Sequence, residues 1–460
     1  MKDWSGQRVV ILGAARQGLA LARYLAAHGA RVVLNDQRPE SDLAEAMRAL
    51  SGVDIQWVTG SHPLDLLDRA DCVCVSGGVS LEIPLIVEAL RRGLPLTNDS
   101  QVFMDLVPCP TVGITGSAGK TTTTTLVGRM ARSGVQPPSR TWVGGNIGQP
   151  LINFVEEMKD SDLVILELSS FQLELMTRSP HVAAVLNITP NHLDRHGTMA
   201  AYTAAKARIL QFQGEQDIAI LGCDDPGAWG LADSVQGMLM TFSRQPLEVG
   251  IPGAYFDSRR LWFSDGVGSH PIMPVEAVRL RGEHNLLNVL AACAISLAAG
   301  LPLDSLEAGV RDFAGVPHRL EYVRSLNGAD WYNDSIATAP ERSMAALRSF
   351  EGPIVLLAGG RDKKLPWEAF ASLVHQRVDH LVVFGEAADL IAGAVGPVKP
   401  GEKPYTLQRT AGLEEAVRAA AEVASPGDVV LLSPGGTSFD EFIDFEQRGE
   451  RFIQWVKALS

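Results

Sequence analysis

The sequence predicts an α/β fold with several domains, and three observations lead to that prediction. Apolar stretches of strand length that end in Gly- or Ser-rich turns recur along the chain, from Val9 to Leu432. Many of them are followed by helical patterns, and this alternation is typical of parallel sheets covered by helices. At 460 residues the chain is also too long for one core, so two to four domains are expected.

The composition is that of a soluble globular protein, with 46% apolar residues, 44 Gly and 26 Pro. The formal charge of −13 argues against a nucleic-acid partner, because a phosphate backbone binds to basic surfaces. The five cysteines lack metal-ligand spacing, and the N-terminus has no signal-peptide pattern. The longest apolar run, Leu286 to Leu303, contains polar residues and predicts a buried helix. We therefore expect a cytoplasmic monomer that does not insert into a membrane.

The first predicted sheet occupies residues 1–107 and begins with a βαβ unit. An apolar strand meets Gly13, and a second strand, Arg31 to Leu34, leads to Asp36 after an intervening helix. Gly13 and Gly18 form an incomplete dinucleotide fingerprint, which is weak evidence for a dinucleotide site. The loop and the start of its helix still suit a ligand that carries phosphate, and Asp36 suits a hydroxyl or an imide N–H.

The βα pattern restarts twice after this first segment. Pro108 and Pro110 indicate a linker, so we assign a second domain to residues 108–315 and a third to residues 316–460. The third contains three apolar strands that each end in a Gly- or Ser-rich turn: Ile354 to Ala358, Leu381 to Phe384, and Val429 to Leu432.

The stretch TGSAGKT, which opens the second domain, resembles a shortened P-loop. Gly116 and Gly119 allow backbone N–H groups to wrap an anion. Lys120 would lie beside the β- and γ-phosphates of a nucleotide, and the hydroxyl of Thr121 suits Mg²⁺. The strict pattern requires glycine where Ile114 stands, so an ordinary strand-to-helix turn is the alternative. The apolar strand before it, the helix after it and the intact Gly-Lys-Thr triplet favour nucleotide binding.

Two predicted strands of the second domain end in side chains that can bind a metal. The strand from Leu163 ends at Glu167, and the chain after the strand from Val182 reaches His192. Because ligands gather at the carboxyl ends of parallel strands, both can lie beside the phosphate loop. Either residue alone is more often structural, but Mg·ATP needs ligands beyond the loop hydroxyl.

Two later features allow two interpretations each. Lys206 lies on a predicted helix from Met199 to Phe212, and the residues alone favour a solvated helix charge. Asn285 and Asn288 are three residues apart on one helical face, so they could contact a base or bridge a phosphate. Asn285 could equally cap the helix.

In their order, these motifs resemble those of the Mur ligases over nearly the whole chain. The matching stretches are GSAGKTT, ELSSFQLE, NHLDRH, GEHNLLN, PHR, NDS, and SPGGTSFDEF with FEQRG. ELSSFQLE and FEQRG are most similar to the members that add glutamate to UDP-N-acetylmuramoyl-L-alanine. The resemblance implies a Rossmann-like domain for the UDP substrate, a central P-loop ATPase domain with a mostly parallel sheet, and a Rossmann-like domain for glutamate.

The resemblance also implies ATP, two Mg²⁺ ions and a carbamylated Lys206. A carbamate is an anionic oxygen ligand, whereas a cationic amine would repel the metal. The implied catalytic residues are Lys120, His192, Lys206 and Arg319, and the implied metal ligands are Thr121, Glu167, His192 and Lys206. The implied ATP contacts are Gly116, Ser117, Ala118, Gly119, Lys120, Thr121, Thr122, Asn285, Asn288, Arg319 and Asp334.

The implied substrate contacts belong mainly to a UDP site and a glutamate pocket. Gly13, Arg16, Gln17, Gly18 and Asp36 match the UDP site, and Asn146 lies near the join of the two ligands. The remaining substrate positions are Gln172 and the glutamate pocket, Thr338, Lys363, Ser438 and Phe445.

The implied reaction is ATP-dependent ligation of D-glutamate to UDP-N-acetylmuramoyl-L-alanine through an acyl phosphate, in peptidoglycan precursor synthesis. Three positions depart from the family pattern: Ala118 replaces asparagine, Ile336 replaces lysine, and Gly435-Gly436-Thr437 replaces Ala-Cys-Ala. The last two lie near the expected amino-acid pocket, so L-glutamate is an alternative substrate. More distant alternatives are a folylpolyglutamate synthetase-like ligase, which usually lacks the first domain, and a non-catalytic nucleotide binder.

Overall fold

The computed structural model describes residues 3–280, 282–363 and 365–460. The chain divides into two compact units, the first ending at Phe313 and the second beginning at Ala314. Over the described residues, the strands form a five-stranded and a nine-stranded sheet in the first unit and a six-stranded sheet in the second. The predicted α/β fold class is confirmed.

The first sheet is parallel, with strand order β3-β2-β1-β4-β5. Its strands are β1 (Arg8–Leu12), β2 (Arg31–Asp36), β3 (Ile55–Thr59), β4 (Cys72–Val75) and β5 (Leu96–Thr97). Its helices are α1 (Arg16–Ala27), α2 (Ala44–Ala49), α3 (Pro84–Arg91) and α4 (Asp99–Leu106). The order reverses between β1 and β4, and the crevice at such a point is where doubly wound sheets bind ligands.

The second sheet has the order β14-β13-β12-β11-β10-β9-β6-β8-β7. Its strands are β6 (Thr111–Thr115), β7 (Thr141–Gly145), β8 (Leu163–Glu167), β9 (Val182–Val185), β10 (Ile218–Gly222), β11 (Met238–Ser243), β12 (Gly253–Asp257), β13 (Arg260–Ser264) and β14 (Ser269–Pro274). Strands β6 to β12 pair in parallel, and β12, β13 and β14 form an antiparallel extension.

The helices of this part surround the central strands. They are α5 (Lys120–Gly134), α6 (Ser170–Leu173), α7 (Leu193–His196), α8 (Met199–Gln211), α9 (Pro226–Trp229), α10 (Glu283–Ala298) and α11 (Leu303–Val310). Helix α10 is the predicted buried helix, and every residue from Asn288 to Ser296 is buried. In the described ranges, no helix combines the length and apolarity needed to cross a membrane.

Strand β6 lies between β8 and β9. The loop after β6 therefore emerges between the residue that ends β8, Glu167, and the loop after β9. This is the arrangement that the sequence predicts for the nucleotide loop and its metal ligands.

The second unit contains a sheet of order β15-β16-β20-β17-β18-β19, parallel except for the β15–β16 pair. Its strands are β15 (Glu321–Leu326), β16 (Ala329–Asn333), β17 (Ile354–Gly359), β18 (Val378–Phe384), β19 (Thr406–Thr410) and β20 (Val429–Gly435). Its helices are α12 (Pro340–Leu347), α13 (Glu368–Arg377), α14 (Ala388–Val395), α15 (Leu413–Val423) and α16 (Phe445–Ala458). The loops after β16, β20 and β17 meet at one edge because these strands are neighbours.

Candidate active site

The phosphate loop joins β6 to α5 and is shaped by its two glycines. Gly119 is the N-cap of α5 with φ of 82°, a left-handed conformation that glycine adopts without strain. The Nζ of Lys120 donates to the carbonyl oxygens of Gly116 at 2.7 Å and Ser117 at 3.3 Å. The lysine thus folds back over the loop, where its charge lies close to any anion bound by the loop and the helix N-terminus.

Asn187, which follows β9, holds this loop in place. Its carbonyl oxygen accepts from the N–H of Ser117 at 2.9 Å, and its Oδ1 accepts from the N–H of Ala118 at 2.8 Å. The Nδ2 donates in return to the carbonyl oxygen of Ala118 at 3.2 Å. Sequence reasoning missed Asn187, although a polar residue directly after a buried strand of the nucleotide sheet is a recognisable signal. The Ala118 position therefore keeps its backbone contacts without an amide side chain of its own.

Glu167 presents one carboxylate oxygen that the described residues leave without a hydrogen bond. The residue is 2% exposed, and its Oε1 accepts from Nδ2 of Asn146 at 2.8 Å. Its Oε2 is buried and has no partner among the described residues. A buried, unpartnered carboxylate oxygen is costly unless a ligand completes it, and oxygen is what Mg²⁺ binds. Glu167 therefore fits the predicted metal site.

Lys206 is not a solvated helix charge, so that interpretation is wrong. The residue is 1% exposed, and its Nζ donates to the carbonyl oxygen of Gly116 at 2.9 Å. The Nζ also lies 4.7 Å from the ring centroid of Tyr202. Burial, and then the positive charge of Lys120, lower the pKa of Lys206 to about 6, against the opposing charge of Glu167. An amine with this pKa is largely neutral at pH 7, and a neutral amine is nucleophilic.

The burial of Lys206 could have been predicted from the residue pattern of α8. The buried residues of α8 are Tyr202, Ala205, Lys206, Ile209 and Leu210. Their spacing is i, i+3, i+4, i+7 and i+8, which is the apolar face of an amphipathic helix. A lysine on that face is expected to be buried or functional.

His192 lies outside the core, at the start of α7. It is exposed and has φ of 52°, a left-handed conformation uncommon for a residue with a side chain. Its ring contacts Phe171 edge-on, with centroids 5.2 Å apart. Over residues 3–280, 282–363 and 365–460, no three His, Cys, Asp or Glu side chains are grouped closely enough to hold a metal. Thr121 and Lys206, the other predicted ligands, are of different residue types.

Asn288 brings the start of α10 against the phosphate loop. A Cβ atom at Gly119 would overlap its Oδ1, so the loop needs glycine there. The Nδ2 of Asn288 donates to Oδ1 of Asn285 at 3.2 Å, as expected for residues on one helical face. The N-cap of α10 is Gly282 and not Asn285, so the capping interpretation of Asn285 is wrong.

The predicted sugar-nucleotide site lies at the β1–β4 crevice of the first sheet. Gly13 has φ of 99°, and a Cβ atom at Gly18 would overlap the Gly13 carbonyl oxygen. The carboxylate of Asp36 accepts from the N–H of Ala14 at 2.8 Å and from the Arg38 guanidinium at 2.8 and 3.0 Å. Although burial acts to raise it, these bonds lower the pKa of Asp36 to about 2. Sequence reasoning missed Arg38, the partner that keeps Asp36 charged.

Three predicted substrate residues differ in what they contact. Arg16 is exposed, whereas Gln17 donates from Nε2 to the carbonyl oxygen of Gly145, in the second sheet, at 2.7 Å. Gln172 is buried, and its Oε1 accepts from the N–H and hydroxyl of Ser169 at 3.0 and 2.9 Å. Its Nε2 donates to Ser100 at 2.8 Å. Gln17 and Gln172 thus join the first two sheets, and their substrate roles stay predictions.

In the second unit, Asp334 follows β16 and Arg319 lies upstream of β15. Asp334 is 4% exposed, and its carboxylate accepts from the Ser433 hydroxyl at 2.8 Å and the Leu320 N–H at 3.2 Å. Burial raises the pKa of Asp334 to about 7, although Arg319 and Arg342 act to lower it. Arg319 itself is exposed.

The predicted glutamate pocket is held together by a buried arginine. The Nζ of Lys363 donates to Oγ1 of Thr338 at 3.2 Å. Arg448 is fully buried and donates to the carbonyl oxygens of Ser335 at 2.9 Å and Gly436 at 3.1 Å. The hydroxyl of Ser335 donates to the carbonyl oxygen of Phe445 at 2.8 Å.

Arg448 therefore connects the loop after β16, the loop after β20 and the start of α16. The predicted residues Thr338, Ser438 and Phe445 lie on these three segments. Sequence reasoning assigned no role to Arg448, although an arginine between apolar positions of a helix was a visible signal. Gly435, a departure from the family pattern, has φ of 72°, and a Cβ atom there would come within 3.0 Å of the ring of Trp367.

Family models match three successive parts of the chain. The model described as Mur ligase MurD-like, N-terminal domain, matches residues 7–98. The Mur ligase middle domain matches residues 114–296, and the Mur ligase glutamate ligase domain matches residues 318–436.

Curated relatives match the chain over its whole length. A UDP-N-acetylmuramoylalanine–D-glutamate ligase from Symbiobacterium thermophilum is 41% identical, with 99% of this chain and 98% of the relative covered. An enzyme of the same name from Koribacter versatilis is 39% identical, covering 100% and 99%.

Solved structures share the fold at lower identity. A UDP-N-acetylmuramate–alanine ligase from Thermotoga maritima has a TM-score of 0.54 at 19% identity, covering 98% of this chain and 99% of that chain. The MurF ligase of the same organism, solved with ADP, has a TM-score of 0.51 at 18% identity, covering 100% and 99%. At these identities the likeness shows the fold alone.

Proposed function

This chain belongs to the Mur ligase family, and on that premise we propose that it joins D-glutamate to UDP-N-acetylmuramoyl-L-alanine while ATP is converted to ADP and inorganic phosphate. The reaction would form an amide bond and would be a step of peptidoglycan precursor synthesis. We propose that the enzyme acts in the cytoplasm as a monomer. Relatives about 40% identical over their whole length are named for this reaction. The observation that carries the proposal is the grouping of Lys120, Lys206 and Glu167 around one phosphate loop.

The proposed chemistry has two steps. The L-alanine carboxylate of the UDP substrate attacks the γ-phosphorus of ATP, which gives an acyl phosphate and ADP. The amine of glutamate then attacks the acyl carbon, and inorganic phosphate leaves as the amide forms. Both steps depend mainly on positioning and on neutralising phosphate charge. Lys120 supports the first step because its ammonium is held over the loop that would carry the phosphates.

We infer binding sites for two Mg²⁺ ions. The hydroxyl of Thr121 and the unpartnered oxygen of Glu167 would hold one ion, and His192 and a carbamylated Lys206 would hold the other. Magnesium, when bound, offsets the negative charge that collects on the transferred phosphoryl group. Glu167 is kept in place for this role by Asn146, which uses the other carboxylate oxygen.

Carbamylation of Lys206 is supported by its surroundings. A neutral amine adds to CO₂ and releases one proton, which leaves an anionic carbamate. Lys206 is buried beside Lys120, which favours both the neutral amine and the negatively charged product. The carbamate would place a negative charge beside the Lys120 ammonium, and the two would attract each other.

The second unit would bind glutamate. Lys363 and Thr338, already hydrogen bonded to each other, would pair with one carboxylate of glutamate. Ser438 and Phe445 would complete that pocket. Arg319 and Asp334, like Asn285 and Asn288, match positions that contact ATP in the family.

The test is release of inorganic phosphate and formation of the amide product, measured with D- and L-glutamate in parallel. We expect turnover only when UDP-N-acetylmuramoyl-L-alanine, D-glutamate and ATP are all present. Turnover with L-glutamate but not with D-glutamate would show that the enzyme adds the L-isomer. Phosphate release without the UDP substrate would contradict the proposal and favour a different ligase. Binding of ATP without turnover in the complete mixture would identify a nucleotide binder.

A further inference from the structure

One side of the short helix α7 encloses the ring of Phe171. The residues that contact the ring are His192, Arg195 and His196, whose spacing of i, i+3 and i+4 puts them on one helical face. The His196 ring stacks on Phe171 with centroids 5.2 Å apart and an interplanar angle of 2°. The guanidinium carbon of Arg195 lies 4.6 Å from the centroid, and the His192 ring meets the edge at 5.2 Å.

His196 fixes this turn to the segment after β8. Its side chain is 2% exposed. One ring nitrogen lies 2.9 Å from the Ser170 hydroxyl, and the other lies 3.1 Å from the Glu174 carboxylate. The residues that carry His192 therefore form one packed group with α6, so that they are expected to move together.

Arg195 connects this group to the first sheet. Its guanidinium donates to the carbonyl oxygens of Gly78 at 3.4 Å and Val79 at 3.1 Å, both in the loop after β4. In the same loop, Gly77 lies near Phe171, since a Cβ atom there would be in ordinary van der Waals contact with the Phe171 Cβ at 3.7 Å. The Arg195 guanidinium thus lies over the Phe171 ring, and its N–H groups bind the loop after β4.

The loop after β4 also contacts the predicted sugar-nucleotide loop. The hydroxyl of Ser76 donates to the carbonyl oxygen of Gly13 at 3.2 Å. A Cβ atom at Gly18 would lie 3.2 Å from the same hydroxyl oxygen. An unbroken series of contacts therefore runs from Gly13 through Ser76 and Arg195 to Phe171 and His192.

We propose that Arg195 is a positioning residue that couples occupancy of the sugar-nucleotide site to the placement of His192 beside the phosphate loop. A ligand seated on the Gly13 loop restrains the loop after β4, and the two carbonyl contacts transmit that restraint to Arg195. Because the Arg195 guanidinium also lies on Phe171, the whole face of α7 is restrained with it. The inference rests on the proposed function, which supplies the identities of the two ligands.

The experiment measures the affinity of a Mg²⁺ complex of non-hydrolysable ATP by calorimetry, with and without UDP-N-acetylmuramoyl-L-alanine. In the unaltered protein we expect binding about tenfold tighter when the UDP substrate is present, a coupling in the usual range. Reciprocity requires the same factor for the UDP substrate when the nucleotide is added first. In Arg195→Met, both ligands should still bind, but the factor should fall below about twofold.

The chain offers a matched control in Arg129. This arginine makes the same kind of contacts, donating to the carbonyl oxygens of Gly309 at 2.7 Å and Arg311 at 2.9 Å and lying 5.5 Å from the Phe313 ring. Arg129→Met should keep the full coupling factor. Thermal unfolding checks that each variant is folded, and Arg195→Lys, which keeps the charge but not the two-carbonyl contact, should lose coupling as well.

Two results would overturn the proposal: an unaltered protein that binds both ligands without coupling, or an Arg195→Lys or Arg195→Met protein with the full factor. A protein that binds neither ligand would instead contradict the proposed function.

Discussion

The two units of this protein arrange the charges of their candidate sites in opposite ways. In the first unit, Glu167 and Lys206 are 2% and 1% exposed, so the charged groups themselves are buried. In the second unit, Arg319 and Lys363 are exposed, and the buried cation is Arg448, which contacts backbone carbonyls. Two reactive groups of the first unit, Glu167 and Lys206, are thus set in dry surroundings, whereas two cations of the second unit face water and its buried cation supports the backbone.

The same contrast applies to one aspartate in each unit. Asp36 accepts bonds from Arg38 and the Ala14 N–H, and its pKa is held at about 2. Asp334 accepts from a hydroxyl and one N–H, and burial raises its pKa to about 7. Burial alone therefore does not decide the charge of a carboxyl group, because the number and charge of its donors do.

The largest effect is expected from Lys120→Ala. The change removes the ammonium held over the phosphate loop, and the rate of substrate-dependent phosphate release should fall by about 10²–10³-fold. The unfolding temperature should change little, since the Lys120 Nζ donates to carbonyl oxygens of its own loop. A variant that still consumed ATP at the normal, substrate-dependent rate would show that Lys120 does not have this role.

Lys206→Ala should lower turnover by about 10²-fold, because the variant cannot form the anionic carbamate that we propose beside Lys120. A short carboxylate such as acetate should restore part of the activity by supplying the missing anionic oxygen. Lys206→Arg, which cannot form a carbamate, should be equally slow and should not respond to acetate. Full activity of Lys206→Ala would contradict the carbamate proposal.

Arg448→Met should destabilise the second unit by about 2–4 kcal/mol, because buried carbonyl oxygens of two loops lose their donor. The KM for glutamate should rise, because Arg448 holds together the loops that carry the predicted glutamate pocket. Arg451→Met is the matched control, since Arg451 is exposed on the same helix and contacts Gln454. Equal stability of the two variants would mean that the buried contacts contribute little.

The smallest effects concern the pH dependence of unfolding. For Asp334, the folded state binds a proton more tightly than the unfolded chain does, so stability should fall as pH rises from about 4 to 7. For Asp36, the folded pKa is lowered, so its contribution is present above about pH 4 and is lost as pH falls toward 2.

Each contribution should be visible in urea unfolding at a series of pH values. Asp334→Asn should flatten the first slope, and Asp36→Asn should flatten the second. If the free energy of unfolding depended on pH in the same way in both variants, the two aspartates would not differ in their effect on stability.

The sequence predicted the parts of the site that depend on local chemistry. A Gly-Lys-Thr triplet after an apolar strand can hardly fold otherwise, and Glu167 follows from strand geometry. It did not predict β10 to β14, because no motif marks those strands and their pairing is set by distant partners. Asn187 and Arg448 each have a local signal, but their roles depend on partners 69 and 113 residues away in the sequence, which the signal does not identify.

Asn288 and Gly119 fit against each other without spare room. Because position 119 has no side chain, the Asn288 amide occupies the space where a Cβ would stand. Helix α10 and the phosphate loop are therefore interlocked at this point, since a single methyl group at position 119 would have to displace either the amide or the loop. The two positions, far apart in the sequence, thus constrain each other's side chains.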